Sequence, residues 1–246
     1  MRDAYLKEIG LWPVWRKRNV VQPEETVEMT QQPSEYQPSL DVSGDADSRI
    51  TRIMRMDWPT LEESVAGCTA CPLSQSRTQT VFGVGDPAAD WLFAGEGPGA
   101  EEDAKGEPFV GQAGMLLDNM LKSIGLKRGE NVYITNVVKC RPPDNRTPKP
   151  GEVAACAPYL DRQIELIQPK LIVALGKVAA QRFLDTDQSI ASLRGAVHAY
   201  QTIPLIVTYH PAYLLRNLAD KAKAWEDLCF AVNTMSDLMA AHAATT

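Results

Sequence analysis

The chain has 246 residues, of which 44% are hydrophobic and 23% charged, and it carries a formal net charge of −6. That balance fits a globular protein of one ordinary domain with length to spare, and no apolar run reaches the roughly 20 residues that span a bilayer. The acidic sum argues against a broadly basic, non-specific polyanion binder, while leaving room for a local basic face.

Residues 1–19 crowd Tyr5, Leu6, Ile9, Leu11, Trp12, Val14 and Trp15 ahead of Arg16, Lys17 and Arg18. A piece this short is marginal as an isolated helix. It reads either as a terminal segment docked on its own domain or as a short linear motif whose aromatics anchor in a partner groove. It does not read as a signal peptide, so a cytoplasmic location is the expectation. Residues 20–57 are rich in Gln, Glu, Pro, Ser and Asp. Such a stretch buries too little apolar surface to offset its ordering entropy, and a disordered linker is expected. A domain is expected over 58–246.

A helix is predicted over 61–68, running into Cys68 and Cys71. Residues 91–94, Trp-Leu-Phe-Ala, read as a short buried strand. It passes into Gly95-Glu96-Gly97-Pro98-Gly99, where glycines let backbone N–H groups approach a ligand closely. Glu101, Glu102 and Asp103 follow, and a second glycine-bearing loop places Phe109 between Gly106 and Gly111. A helical stripe then starts at Gln112, with Leu116, Leu117, Met120 and Leu121 on one face. The loop has neither the dinucleotide spacing nor a Gly-Lys-Ser/Thr ending, so a nucleotide phosphate site is the weaker reading. Carboxylates beside an aromatic suggest a planar neutral ligand and water chemistry; a turn with a solvated acidic helix start is the plain alternative.

Further apolar strands are predicted at 131–138, 171–176 and 204–209, the last delivering His210 and Pro211. Helices are predicted between them at 150–167 and 177–184, and a final one at 218–241. Apolar strands alternating with helices indicate a parallel sheet covered on both faces, and ligands in such folds bind beyond the carboxyl ends of the strands.

Four of the five cysteines fall as C-x2-C, then 68 residues, then C-x15-C: Cys68, Cys71, Cys140 and Cys156. In a cytosolic chain a metal site is the first reading and ordinary buried thiols the second. Zinc prefers two tight pairs, whereas iron–sulfur clusters tolerate scattered thiolates; both stay open on spacing alone. Cys229, beside Leu228 and Phe230, reads as core.

With these cysteines, the segments GEGPGAEED at 95–103, GEPFVGQAG at 106–114, YITNVVKCRPP at 133–143 and HPAYLLR at 210–216 resemble the family 4 uracil-DNA glycosylases. The resemblance runs from about Cys68 to Arg216. It implies a three-layer α/β/α fold with a central four-stranded, mainly parallel sheet and a 4Fe-4S cluster on Cys68, Cys71, Cys140 and Cys156. It also implies cleavage of the N-glycosidic bond of deoxyuridine in DNA. A monomer is expected, since nothing in the sequence suggests more, and the cytoplasm, at a bacterial nucleoid, is the expected location. Residues 1–19 are similar to the N-terminal peptide of the clamp-loader psi subunit, which implies a replisome partner.

Each residue role implied by the resemblance has a physical sense. Phe109 would stack on a flipped uracil. Asn136 would read the uracil edge, where cytosine presents the opposite hydrogen-bond polarity. His210 would donate to O2 as the leaving base becomes anionic, with a backbone N–H near Gly97 assisting. The best-known branch of the superfamily places an aspartate at the position of Gly97, so Glu102 or Glu96 is left to position the water, Glu102 being preferred. Gly97 also leaves space where that branch sets a bulky residue against the thymine methyl. Leu214 would wedge into the gap left by the base, and Arg216, Arg141, Arg146 and Lys139 would contact phosphates. Two other readings stand beside this one. A covalently trapped uracil-DNA binder would carry a histidine in a basic insertion, and this chain has none between Cys68 and Val197. A non-catalytic replisome adaptor would have no need of Glu102, Asn136 and His210.

Overall fold

The computed structural model describes residues 43–243; the peptide at 1–19 and the first part of the expected linker lie outside them. Six strands form one sheet: β1 (Val84–Gly85), β2 (Trp91–Gly95), β3 (Val132–Asn136), β4 (Leu171–Leu175), β5 (His198–Tyr200) and β6 (Ile203–Thr208). Their order is β1-β3-β2-β4-β6-β5. The inner four are parallel, as their apolar runs predict. The short edge strands β1 and β5 are antiparallel additions that the four-strand expectation lacks. They have two and three residues, none buried, too few to show a period.

The helices are α1 (Ser43–Ile53), α2 (Trp58–Ala66), α3 (Ala100–Lys105), α4 (Gln112–Ser123), α5 (Pro150–Ile167), α6 (Lys177–Leu184), α7 (Ile190–Leu193), α8 (Pro211–Arg216) and α9 (Lys221–Ala243). Every residue of β2, β3 and β4 is buried, because successive side chains alternate between two covered faces. Leu92 and Ala94 point into one core with Val65 of α2, Leu160 of α5 and Ala180 of α6. Trp91 and Phe93 point into another with Leu117 and Leu121 of α4 and Ala231 of α9. Helix, sheet and helix make three layers. Among the described residues no helix is long and apolar enough to cross a membrane.

Helix α1 corrects the linker boundary drawn at residue 57. Its sequence is mostly polar, which hides it, yet Ile53 is 1% exposed and belongs to the core that α2 and α5 share. Arg49 of α1 donates to the Ala155 carbonyl of α5 at 3.1 Å. Asp57 then caps α2, accepting from the Thr60 N–H at 3.1 Å, as a short polar acceptor does for the unpaired amides of a first turn. The folded unit therefore includes residues well before Trp58.

The order of the strands decides where a ligand fits. From β2 the chain steps to β3 on one side, then crosses to β4 on the other, so the connections at the carboxyl ends of β2 and β4 diverge. That divergence opens a crevice, and all four parallel strands deliver their polar loops to it.

Candidate active site

A cavity of about 760 Å³ lies beyond these strand ends. Glu96 and Gly97 reach it from β2, Asn136 from β3, His210 from β6, and Glu102 and Phe109 from the loops between β2 and α4. The register explains the first pairing. Gly95 lies opposite Asn136, and the ladder continues as the Val137 and Val138 amides donate to the carbonyls of Gly95 and Glu96. A Cβ on Gly95 would stand 2.5 Å from Phe109 Cζ and 2.6 Å from Asn136 Oδ1. Only a bare backbone lets both side chains approach. In the sequence Gly95 is simply one glycine of a turn, and nothing local marks it as the contact point of two functional side chains.

Two polar atoms in this region are buried without a partner: Asn136 Oδ1 and His210 Nε2. Leaving such atoms unpaired costs roughly 1–3 kcal/mol each, an expense that a folded protein tolerates where a ligand supplies the missing bond. His210 sits at the N-terminus of α8, where the Ala212 N–H donates to its Nδ1 at 3.2 Å. An accepting Nδ1 puts the proton of the neutral ring on Nε2. Burial, aided by the Arg216 charge and opposed by Glu102, pulls the imidazole down to about 4. His210 is thus a neutral donor near pH 7. Gly176, at φ +89°, makes room beneath it, since a Cβ there would meet His210 Cβ at 2.8 Å.

Phe109 is 5% exposed, with its ring centroid 5.5 Å from that of His210 and the planes 30° apart. Its backbone is left-handed, φ +56°, a conformation that costs a bulky residue about 1–3 kcal/mol and tends to occur at functional sites. Glu102 accepts three amide protons: from Gly99 at 3.1 Å, Val110 at 3.0 Å and Gly111 at 3.1 Å. A carboxylate offers about four acceptor positions, so one stays unfilled on a side chain that lines the cavity. Burial pushes the Glu96 carboxyl above its usual range, partly offset by a hydrogen bond with Thr147.

Three expectations need correction. Leu214 is 1% exposed and packs with Met120, Tyr209, Ala224 and Leu228. It faces the core because α8 turns inward at that position, and it is unavailable as a wedge; Tyr213 and Leu215 are the exposed apolar side chains there. Lys139 is also 1% exposed, its ammonium enclosed by Thr135 Oγ1, the Asn136 carbonyl and Gln163 Oε1, so it reaches no phosphate. Gly97 lines the cavity but leaves no room for a side chain, since a Cβ would lie 2.7 Å from Val138 Cγ2. Arg146 lines the cavity, 35% exposed, with Glu152 accepting from it at 2.8 and 2.7 Å. Arg216 lines the cavity too, and Arg141 is partly exposed, donating to Asn145 Oδ1 at 2.8 Å.

Cys68, Cys71, Cys140 and Cys156 line one small cavity, with Arg77, Lys139 and Tyr159 around it. Donors point at three of the sulfurs. Arg77 Nη1 lies 3.0 Å from Cys140 Sγ, the Lys139 amide 3.3 Å from Cys156 Sγ, and Arg49 Nη2 3.8 Å from Cys68 Sγ. Among the described residues no three metal-binding side chains close around a single ion. Burial raises both the Cys140 thiol and the Cys156 thiol, the latter to about 12, the reverse of what a nucleophilic cysteine needs.

Comparison with known proteins agrees with this geometry. Residues 82–229 match the uracil DNA glycosylase superfamily. A type-4 uracil-DNA glycosylase from Thermotoga maritima is 50% identical over 165 residues, covering 66% of this chain and 85% of the relative. One from Sulfurisphaera tokodaii is 49% identical, covering 64% and 75%. A type-5 enzyme from Thermus thermophilus is 33% identical, covering 63% and 87%. The chain belongs to the uracil-DNA glycosylase superfamily, in its type-4 branch.

Proposed function

We propose that this protein is a monofunctional DNA glycosylase that hydrolyses the N-glycosidic bond of deoxyuridine in DNA, opening base-excision repair. The observation that carries the reading is the pair of unpartnered buried atoms, Asn136 Oδ1 and His210 Nε2, beside Phe109 in one cavity. A base inside a duplex is out of reach, so the nucleotide leaves the stack and enters the cavity. Phe109 covers one face of the ring. Asn136 accepts from uracil N3–H and donates to O4, a pattern that cytosine inverts.

As the C1′–N1 bond breaks, its electron pair passes to the base and the charge spreads onto O2. His210 Nε2–H donates to O2, and this bond strengthens as the charge grows, which is what lowers a barrier. Water adds to C1′ and its proton leaves to solvent. The open acceptor position of Glu102 orients that water, and its charge favours the oxocarbenium-like sugar. Glu96 lines the same cavity, its carboxyl raised by burial, without the three amide donors that fix Glu102. Anaerobically purified protein should release uracil from a single-uracil oligonucleotide, leaving an alkali-labile site, and should ignore the matched cytosine oligonucleotide. Tight binding without release would overturn the reading in favour of a uracil-DNA binder.

The four cysteines fit a 4Fe-4S cluster. Their thiols share one cavity, and the N–H groups of Arg77 and Lys139 are aimed at two of the sulfurs, as donors around cluster thiolates are. Such a cluster supplies a covalent tie there, joining the segment after α2 to the loop after β3 and to α5. The purified protein should be brown and contain iron and acid-labile sulfide in equal amounts, both lost in Cys140→Ser. Zinc in place of iron would reject the cluster.

A further inference from the structure

Arg128 lies outside every motif of the active site, in the turn between α4 and β3, yet it grips the loop that carries Phe109. Its Nη1 donates to the Pro108 carbonyl at 2.8 Å and its Nη2 to the Phe109 carbonyl at 2.8 Å. Nε donates to Asp118 Oδ1 at 3.0 Å, which fixes the fork on α4. Glu107 adds a contact at 3.6 Å. The arginine side chain is only 18% exposed.

The same loop is held on its other flank. The amides of Val110 and Gly111, the two residues after Phe109, both donate to Glu102 Oε1. The carbonyls at 108 and 109 are therefore drawn one way and the amides at 110 and 111 the other. The peptide groups on each side of Phe109 are fixed, and with them its left-handed φ of +56°. A free chain places a phenylalanine there rarely. The first turn of α4 leaves no slack, since a Cβ on Gly114 would overlap the Phe109 carbonyl oxygen at 1.8 Å.

We infer that Arg128 is a positioning residue for the base-stacking phenylalanine: its two-pronged bond to the Pro108 and Phe109 carbonyls holds the strained backbone that sets the ring before the base arrives. This inference rests on the assignment of Phe109 as the stacking side chain, and the test separates the two. Guanidinium geometry is essential to it. Lysine carries the charge but, as a point donor, cannot span two successive carbonyls and a carboxylate.

The test is a double-mutant cycle on single-uracil oligonucleotide cleavage, with R128K, R128M, F109A and the two double variants of the full chain. R128K and R128M should each lower kcat/KM by about 10²-fold, the usual effect of a misplacement near 1 Å. In the F109A background the same changes should cost less than about threefold, because the ring they position is gone. Guanidinium ion added to R128M should recover part of kcat, and added to F109A should recover none. R128K keeps a cation beside Asp118 and Glu107, so it reports on positioning even where R128M unfolds. Arg128 changes that cost the same with and without Phe109, or R128K within twofold of wild type, would overturn the inference. Full activity of F109A would instead remove the stacking assignment beneath it.

Discussion

His210→Ala should lower kcat by about 10²–10³-fold with KM changed little, the size seen when one preorganised donor to a developing anion is removed. The loss falls on kcat because the bond to O2 gains strength only as charge leaves the sugar. Since burial holds the imidazole near 4, wild-type activity should show no step with a midpoint near 6.5. Such a step would sink the neutral-donor reading. Stability carries the matching signature. Between pH 6.5 and about 4 the unfolded chain binds a proton at this histidine and the folded chain does not, so stability falls as pH drops through that window. The contribution at stake is about 3 kcal/mol, because each pH unit across the window is worth roughly 1.36 kcal/mol. Urea unfolding at pH 7.5 and pH 5 should show His210→Ala losing less stability on acidification than wild type.

Gly95→Ala should reduce kcat/KM by at least about 10²-fold, a large effect for one methyl group. The added Cβ would stand 2.5 Å from the Phe109 ring and 2.6 Å from the Asn136 amide. Both contacts are far shorter than packed atoms allow, so one or both side chains must move. Phe109 cannot yield through its backbone, which Arg128 and Glu102 hold from either side. Asn136 sits in register opposite Gly95 at the end of β3. Overpacking of this kind costs about 1–3 kcal/mol of stability, so a folded but nearly inactive protein is expected. Gly151→Ala, where a Cβ meets nothing within 4 Å, is the matched control and should stay within about twofold. Wild-type rates from Gly95→Ala would show that the close approach of these three residues is irrelevant to catalysis.

The four parallel strands are legible because each is a mainly apolar run, without the polar alternation of a half-exposed sheet. Helix α1 is not legible. Only Ile50 and Ile53 are large and apolar in it, and its anchoring depends on α5, far along the chain. Lys139 looks like a surface cation for a similar reason. Nothing in Val-Val-Lys-Cys says that Gln163, on α5, will be there to receive the ammonium. Leu214 belongs to a helix of six residues, too short for periodicity to tell an inward side chain from an outward one.

The sequence by itself determined the parallel core of the sheet, the order of the loops at its carboxyl edge, and the chemical types that reach it: a glycine turn, an aromatic, an amide and a histidine. These are local properties, set by residue type and spacing along a few turns of chain. The tertiary structure alone decided which of those groups are buried together and in what state. The neutrality of His210, the strain at Phe109 and the need for a bare backbone at Gly95 each arise from atoms that lie far apart in the chain. Charge state and steric tolerance depend on neighbours in space, and only the folded sheet brings those neighbours together.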